Sequence, residues 1–222
     1  MNILLACEES QAVCKAYREK GHNAFSCDIL PCSGGHPEWH IQGDVLPLLN
    51  GGCSFFTMDG KLHWICDRWD MIIAFPPCTF MSKAGARWMY PTAGNISQER
   101  LAKAMKAKAF FMAIMNADCD RIAIENPRPL KVVDLPKPSQ VIQPYQFGHP
   151  YSKATCLWLK GLQPLEPTEV LTEYKPYCPS NTGGVTRGQS YNKGGAIRAV
   201  DDGVNRAKTF DGIGKAMSEQ WG

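Results

Sequence analysis

Apolar residues recur along this chain in two rhythms, and polar or proline breaks separate them. Residues 2–6, NILLA, are a short continuous apolar run, the pattern of a strand buried on both faces of a sheet. The polar break CEES follows. Ala12, Val13, Ala16 and Tyr17 then recur at helical spacing, and the segment ends on Gly21, a natural helix C-cap. NAFSCDIL (23–30) has a second strand pattern that carries an acid, Asp28. Together these segments predict a βαβ unit, and with it a parallel sheet.

Further along, GDVLPLL (43–49) predicts a short helix or turn. Residues 53–66 alternate about Asp59-Gly60, a two-residue hairpin signal. WDMIIAF (69–75) is a further buried strand, stopped by Pro76 and Pro77. Residues 97–117 carry the clearest helical pattern, with Ser97 as cap and Glu99 and Arg100 in the first turn. CDRIAIENP (119–127) and ATCLWLKG (154–161) predict two more strands, the first stopped by Asn126-Pro127. From 163 to 208 Pro, Gly, Ser, Thr and Asn dominate and the apolar period disappears, which predicts a loop-rich segment or a tiny subdomain. Helical spacing returns in 208–222. The fold class expected is α/β, a mostly parallel sheet flanked by helices with a small β-hairpin insert.

Composition narrows this picture slightly. A chain of 222 residues, 44% hydrophobic, suits one globular domain with its own core. With 24 Lys+Arg against 21 Asp+Glu, the net charge is +3, so a nucleic-acid surface requires uneven placement of the cations. The ten cysteines are scattered, no leader pattern precedes them, and no apolar run reaches the roughly 18 residues of a membrane span. Reduced thiols, no membrane contact and a cytoplasmic location are therefore expected. Cys27, Cys32, His36 and His40 are zinc-ligand types, but no paired C-x2-C spacing is present, so no metal is assigned. His36 and Trp39 equally suit the lining of a cleft.

The chemistry concentrates at the ends of the predicted strands, where open α/β sheets bind ligands. These ends read ACEES, CDILP, FPPCTF and ENPRP. Glu8 and Asp28 each suit an N-cap as well as a ligand contact. Cys78 differs, because Pro76 and Pro77 fix the backbone that enters it. A rigidly aimed thiol gains as a nucleophile, and a helix beginning just after it would lower its pKa.

These motifs resemble the DNA (cytosine-5-)-methyltransferase family of the class I S-adenosylmethionine-dependent fold, above all its short phage-encoded members. The likeness covers most of 1–161 in order and returns near 208–222. PPCTFMS is similar to the family's Pro-Pro-Cys-Gln-x-Phe-Ser motif, and ENP to its Glu-Asn-Val motif. The resemblance implies a Rossmann-like fold that binds S-adenosyl-L-methionine, with Cys78 as the attacking thiolate, Glu125 contacting the base and Lys153 as a catalytic cation. It places Ala6, Cys7, Glu8, Ser10, Asp28, Ile29, Asp44, Val45, Phe75, Pro76 and Ile213 at the cofactor. Pro77, Thr79, Ser82, Lys83, Arg87 and Asn126 fall at the substrate, a cytosine flipped out of duplex DNA. It also implies a catalytic region over 1–162, a reduced target-recognition segment over 163–207, and a C-terminal helix over 208–222 that packs back. If the protein is phage-encoded, it works in the host cytoplasm.

Three departures stand out. LLACEES lacks both glycines of the family's first motif. The family's arginine pair is missing from YSKATCLWLKG, where Lys153 is the nearest cation. The recognition segment is short, although Lys175, Arg187, Lys193, Arg198 and Arg206 interleave with Tyr174, Tyr177 and Tyr191, a mix that suits phosphate contact and stacking or simply a solvated loop. Residues 81–94, with Lys83, Arg87 and Trp88, form either a loop that closes on the base or a structural one. Two other functions therefore stay open: a pyrimidine-modifying enzyme for RNA or free nucleotide, and a degenerate decoy that only binds DNA or protein.

Overall fold

The computed structural model describes residues 1–92, 94–177 and 209–222. Arg187, Tyr191, Lys193, Arg198 and Arg206, and with them most of the expected recognition segment, lie outside the described residues. Strand β1 (Asn2–Ala6) leads into helix α1 (Ala12–Glu19) and returns as β2 (Asn23–Asp28). A short β3 (His40–Gln42) lies beyond β2. Strands β4 (Cys53–Phe56) and β5 (Leu62–Ile65) form the expected hairpin, a two-stranded sheet of its own that turns at Gly60, φ 83°. Next come β6 (Met71–Ala74), the single-turn α2 (Ala86–Met89), α3 (Gln98–Met115) and β7 (Ile122–Pro127). The chain continues through β8 (Gln140–Ile142), β9 (Tyr151–Ser152), β10 (Thr155–Lys160) and β11 (Lys175–Pro176), and α4 (Asp211–Trp221) closes it.

Among the described residues, seven strands make the main sheet in the order β3-β2-β1-β6-β7-β10-β8. Every neighbour pair is parallel except those of β10, which runs antiparallel to both β7 and β8. This is the Rossmann-like α/β fold class, a mostly parallel sheet flanked by helices, that the sequence implied. The order reverses beside β1, which feeds β2 on one side and lies against β6 on the other, and the crevice above such a reversal is where doubly wound sheets hold ligands.

The two-residue period of the strands divides the core. Ile3, Leu5, Met71, Ile73, Ala123 and Leu157 face the layer of α1 and α4, with Val13, Tyr17, Ile213, Met217 and Trp221. Leu4, Ala6, Ile72, Ala74, Ile124 and Trp158 face α3 and the hairpin, with Phe111, Ile114, Phe55 and Ile65. Strands apolar on both faces need helices on both faces, which is why their runs are continuous. Ser97 caps α3 as expected, accepting a bond from the Arg100 N–H at 3.3 Å.

Candidate active site

The corner at residues 75–78 is built from three sides. Strand β6 lies between β1 and β7 with all four residues buried. Its ladder ends where the Phe75 N–H donates to the Ala6 carbonyl at 2.9 Å, and Pro76 and Pro77 have no N–H with which to continue it. Asn126, 1% exposed at the end of β7, donates its side-chain amide to the Pro76 carbonyl at 2.7 Å. The Cys78 carbonyl then accepts from the N–H groups of Met81 and Ser82, at 3.0 and 2.9 Å. The nucleophile candidate thus sits on a backbone held before and after it.

Around this corner the structure brings together Cys78, Glu125, Lys153 and Ser82. Burial pushes the Cys78 thiol up, and the Glu125 carboxylate pushes it further, while Lys153 and the Ser82 hydroxyl pull it down. The helix field expected to lower this thiol does not act on it, because a 3-10 turn (Lys83–Gly85) and only then the single-turn α2 follow. Burial likewise raises the Glu125 carboxyl, against the pull of Lys153 and the Thr155 hydroxyl. A proton is therefore favoured on both groups, as a site needs if a carboxylic acid is to donate to a ring nitrogen. Lys153 reaches the pair because β10 runs antiparallel to β7. Its ammonium also lies 5.7 Å from the Tyr177 ring centre and 5.8 Å from that of Phe210.

The remaining substrate candidates ring the same corner. Pro77 and Thr79 are exposed, and Arg100 of α3 pins the Thr79 carbonyl at 2.8 Å. Ser82 is buried, whereas Lys83 and Arg87 are exposed, with the Arg87 guanidinium 4.5 Å from the ring centre of Trp88, itself 57% exposed.

The cofactor candidates fall into two groups. Cys7, Asp28 and Asp44 converge at the ends of β1 and β2: burial, then the carboxylates of Asp28 and Asp44, push the Cys7 thiol up to about 12. Ile29 beside them is 74% exposed, and Phe75 lies half-buried across the reversal crevice. Ser10 is half-buried in the turn before α1. Glu8 points elsewhere. It is buried and accepts from the Val13 and Cys14 N–H groups at 2.6 and 3.1 Å, so it serves the start of α1. Ala6, Val45, Pro76 and Ile213 are also buried, the first two and Ile213 in the core.

The first loop manages without its glycines by straining other residues. Cys7 (φ 60°) and Gln11 (φ 58°) take the left-handed conformation, at roughly 1–2 kcal/mol each. Cross-links hold them there: the Cys7 N–H donates to the Cys27 carbonyl at 2.7 Å, and the Gln11 amide bonds both the carbonyl and the N–H of His36, at 2.8 and 3.0 Å. Both His40 ring nitrogens are engaged, with Ser26 Oγ and the Leu30 carbonyl at 2.9 Å each, and among the described residues no three metal-ligand side chains gather.

Two residues near this corner were not singled out from the sequence: Thr155, whose hydroxyl bears on Glu125, and Arg128, whose charge bears on Cys156 beside it. Thr155 carried no motif signal; Arg128 could have been found, since it follows Glu125-Asn126-Pro127 directly. No helix among the described residues is long and apolar enough to cross a membrane. No protein-family model and no curated protein matches the chain. Among solved structures it is similar to an E. coli prophage-encoded protein described as a candidate DNA modification methyltransferase, at 14% identity and a TM-score of 0.44. That similarity covers 77% of this chain and 51% of the other, so the chain spans about half the length of that protein.

Proposed function

We propose that this protein methylates cytosine at carbon 5 in DNA, using S-adenosyl-L-methionine and a transient bond between Cys78 and the base. The observation that carries the proposal is the pairing of a thiol on a clamped corner with a raised carboxyl on the neighbouring strand, Cys78 with Glu125. The residues at the reversal crevice fit the cofactor. Asp28 and Asp44 offer acceptors for ribose hydroxyls and the nucleoside amine, Ile29 offers an apolar face, and Phe75 lies toward the reacting corner. When bound, the cofactor supplies an electrophilic methyl group.

The chain's own residues do the rest. Cys78 gives its proton to solvent water and adds through sulfur to carbon 6 of the ring, and it recovers a proton from water when the sulfur leaves. Glu125 gives its proton to ring nitrogen 3, which takes up the electron pair released by the addition and leaves carbon 5 enamine-like. Lys153 offsets the charge of whichever partner is ionised. After carbon 5 has gained the methyl group, a base removes its remaining proton, the Cys78 sulfur leaves, and nitrogen 3 returns its proton to Glu125.

Incubation with labelled cofactor and duplex DNA should transfer methyl to cytosine, and DNA containing 5-fluorocytosine should trap an adduct at Cys78, since fluorine cannot leave as a proton does. Cys78→Ser should abolish both while leaving cofactor affinity nearly unchanged. Transfer to RNA or dCMP alone would move the substrate, and no transfer to any of them would reject the enzyme.

A further inference from the structure

Two cations that this mechanism leaves unused stand together on the loops that lead away from Cys78 and Glu125. Ser82 and Pro129 form an isolated antiparallel bridge. On either side of it the Leu130 N–H donates to the Met81 carbonyl at 2.7 Å and the Lys83 N–H to the Arg128 carbonyl at 3.0 Å. Lys83 and Arg128 are therefore opposed across two paired loops, a position that brings Cβ atoms to about 4.5–5.5 Å and makes like charges unfavourable. Both are exposed, and among the described residues neither side chain has an ion-pair partner. Other cations do meet carboxylates: Arg68 meets Asp118 and Asp120, Lys103 meets Glu99, and Lys108 meets Asp134.

The paired loops are those that carry the chemistry. One runs on from Cys78, the other from Glu125. The buried Cys156 thiol, paired across the sheet with Asn126, feels both cations and Glu125 as well, with burial the larger influence. We infer that Lys83 and Arg128 form a two-pronged site for phosphate oxygens, which grips the nucleic-acid backbone beside the nucleotide that enters the Cys78–Glu125 pocket. The inference rests on the function proposed above and adds the backbone contact to it. An anion between the cations turns their repulsion into binding, and the planar Arg128 fork suits two phosphate oxygens where Lys83 supplies a point charge.

The test uses Cys78→Ser as the parent, so that binding is read without chemistry. Anisotropy of a fluorescein-labelled duplex over a salt series gives affinity and its salt slope. Adding Arg128→Ala should weaken binding roughly tenfold and reduce the slope by about one; Lys83→Ala should do the same. Arg128→Lys should keep the slope. Lys20→Ala, which removes equal charge at the C-terminal end of α1, should change neither quantity. An unchanged slope in Arg128→Ala, or an equal loss in Lys20→Ala, overturns the site. So does a parent that binds duplex, single-stranded DNA and RNA without salt dependence. Arg128-dependent binding in a wild-type protein that transfers no methyl would leave the site standing and reject the function instead.

Discussion

Cys78 and Glu125 are two acids in one small space, and each resists ionising while the other is charged. Burial and the Glu125 carboxylate both favour the protonated Cys78 thiol, and Lys153 opposes them. Removing the carboxylate charge in Glu125→Gln should therefore lower the thiol pKa, moving the alkylation profile of Cys78 by iodoacetamide to lower pH. Lys153→Met should move it to higher pH. An unmoved profile in both variants would mean that the three groups share no field, and the proposed site would lose its basis. Asn126 holds the corner: its amide nitrogen donates to the Pro76 carbonyl, and its buried oxygen has no hydrogen-bond partner among the described residues. Both residues of the proposed pair were legible in the sequence, because a proline corner and a strand-ending acid are local features. Their shared environment was not, since it depends on two loops that pair only in the folded chain.

At the scale of elements, α1 shows how a motif and its structural role can separate. Its first residues lack a conventional side-chain cap, and Glu8, ahead of the helix, supplies the acceptors instead. Burial raises the Glu8 carboxyl to about 8, against the pull of those two N–H bonds. A carboxyl raised on folding stabilises the protein below its unfolded pKa, and that contribution is lost as pH rises through the folded value. Chemical denaturation across this window should show stability falling as the pH climbs from about 4.5 to about 8. Glu8→Gln, which cannot ionise, should lack that decline. A parallel pair of curves would show Glu8 ionised throughout. The acid was visible in the sequence as either a cap or a ligand contact. The choice between them depends on which way its side chain turns, and burial decides that.

For the molecule as a whole, α4 joins the end of the chain to its beginning. Tyr17 donates its hydroxyl to the Met217 carbonyl at 2.8 Å, and Gly214 lies so close to α1 that an added Cβ would stand 3.3 Å from Val13. Trp221, 3% exposed, bonds the Gln163 carbonyl through its indole N–H at 3.0 Å. Trp221→Ala should cost about 3–5 kcal/mol, read as a lower denaturation midpoint, because it leaves both a cavity and an unpaired carbonyl. A loss under about 1 kcal/mol would mean that α4 contributes little to the fold. The described part of the expected recognition segment is also tied to the main body, through two bonds between Gln140 and Leu165 at 2.7 and 2.8 Å.

The sequence by itself determined the long strands, the hairpin, α3 and the corner that presents Cys78, since each follows from local periodicity, turn chemistry or the missing N–H of proline. Tertiary structure alone decided the rest. It set the short strands β3 and β8, three residues each and too brief to show a period. It ran β10 antiparallel, which carries Lys153 to Glu125. It turned Glu8 inward, held Cys7 and Gln11 in a strained backbone, and opposed Arg128 to Lys83. These outcomes come from pairing and burial between distant segments, and those energies are absent until the sheet has closed.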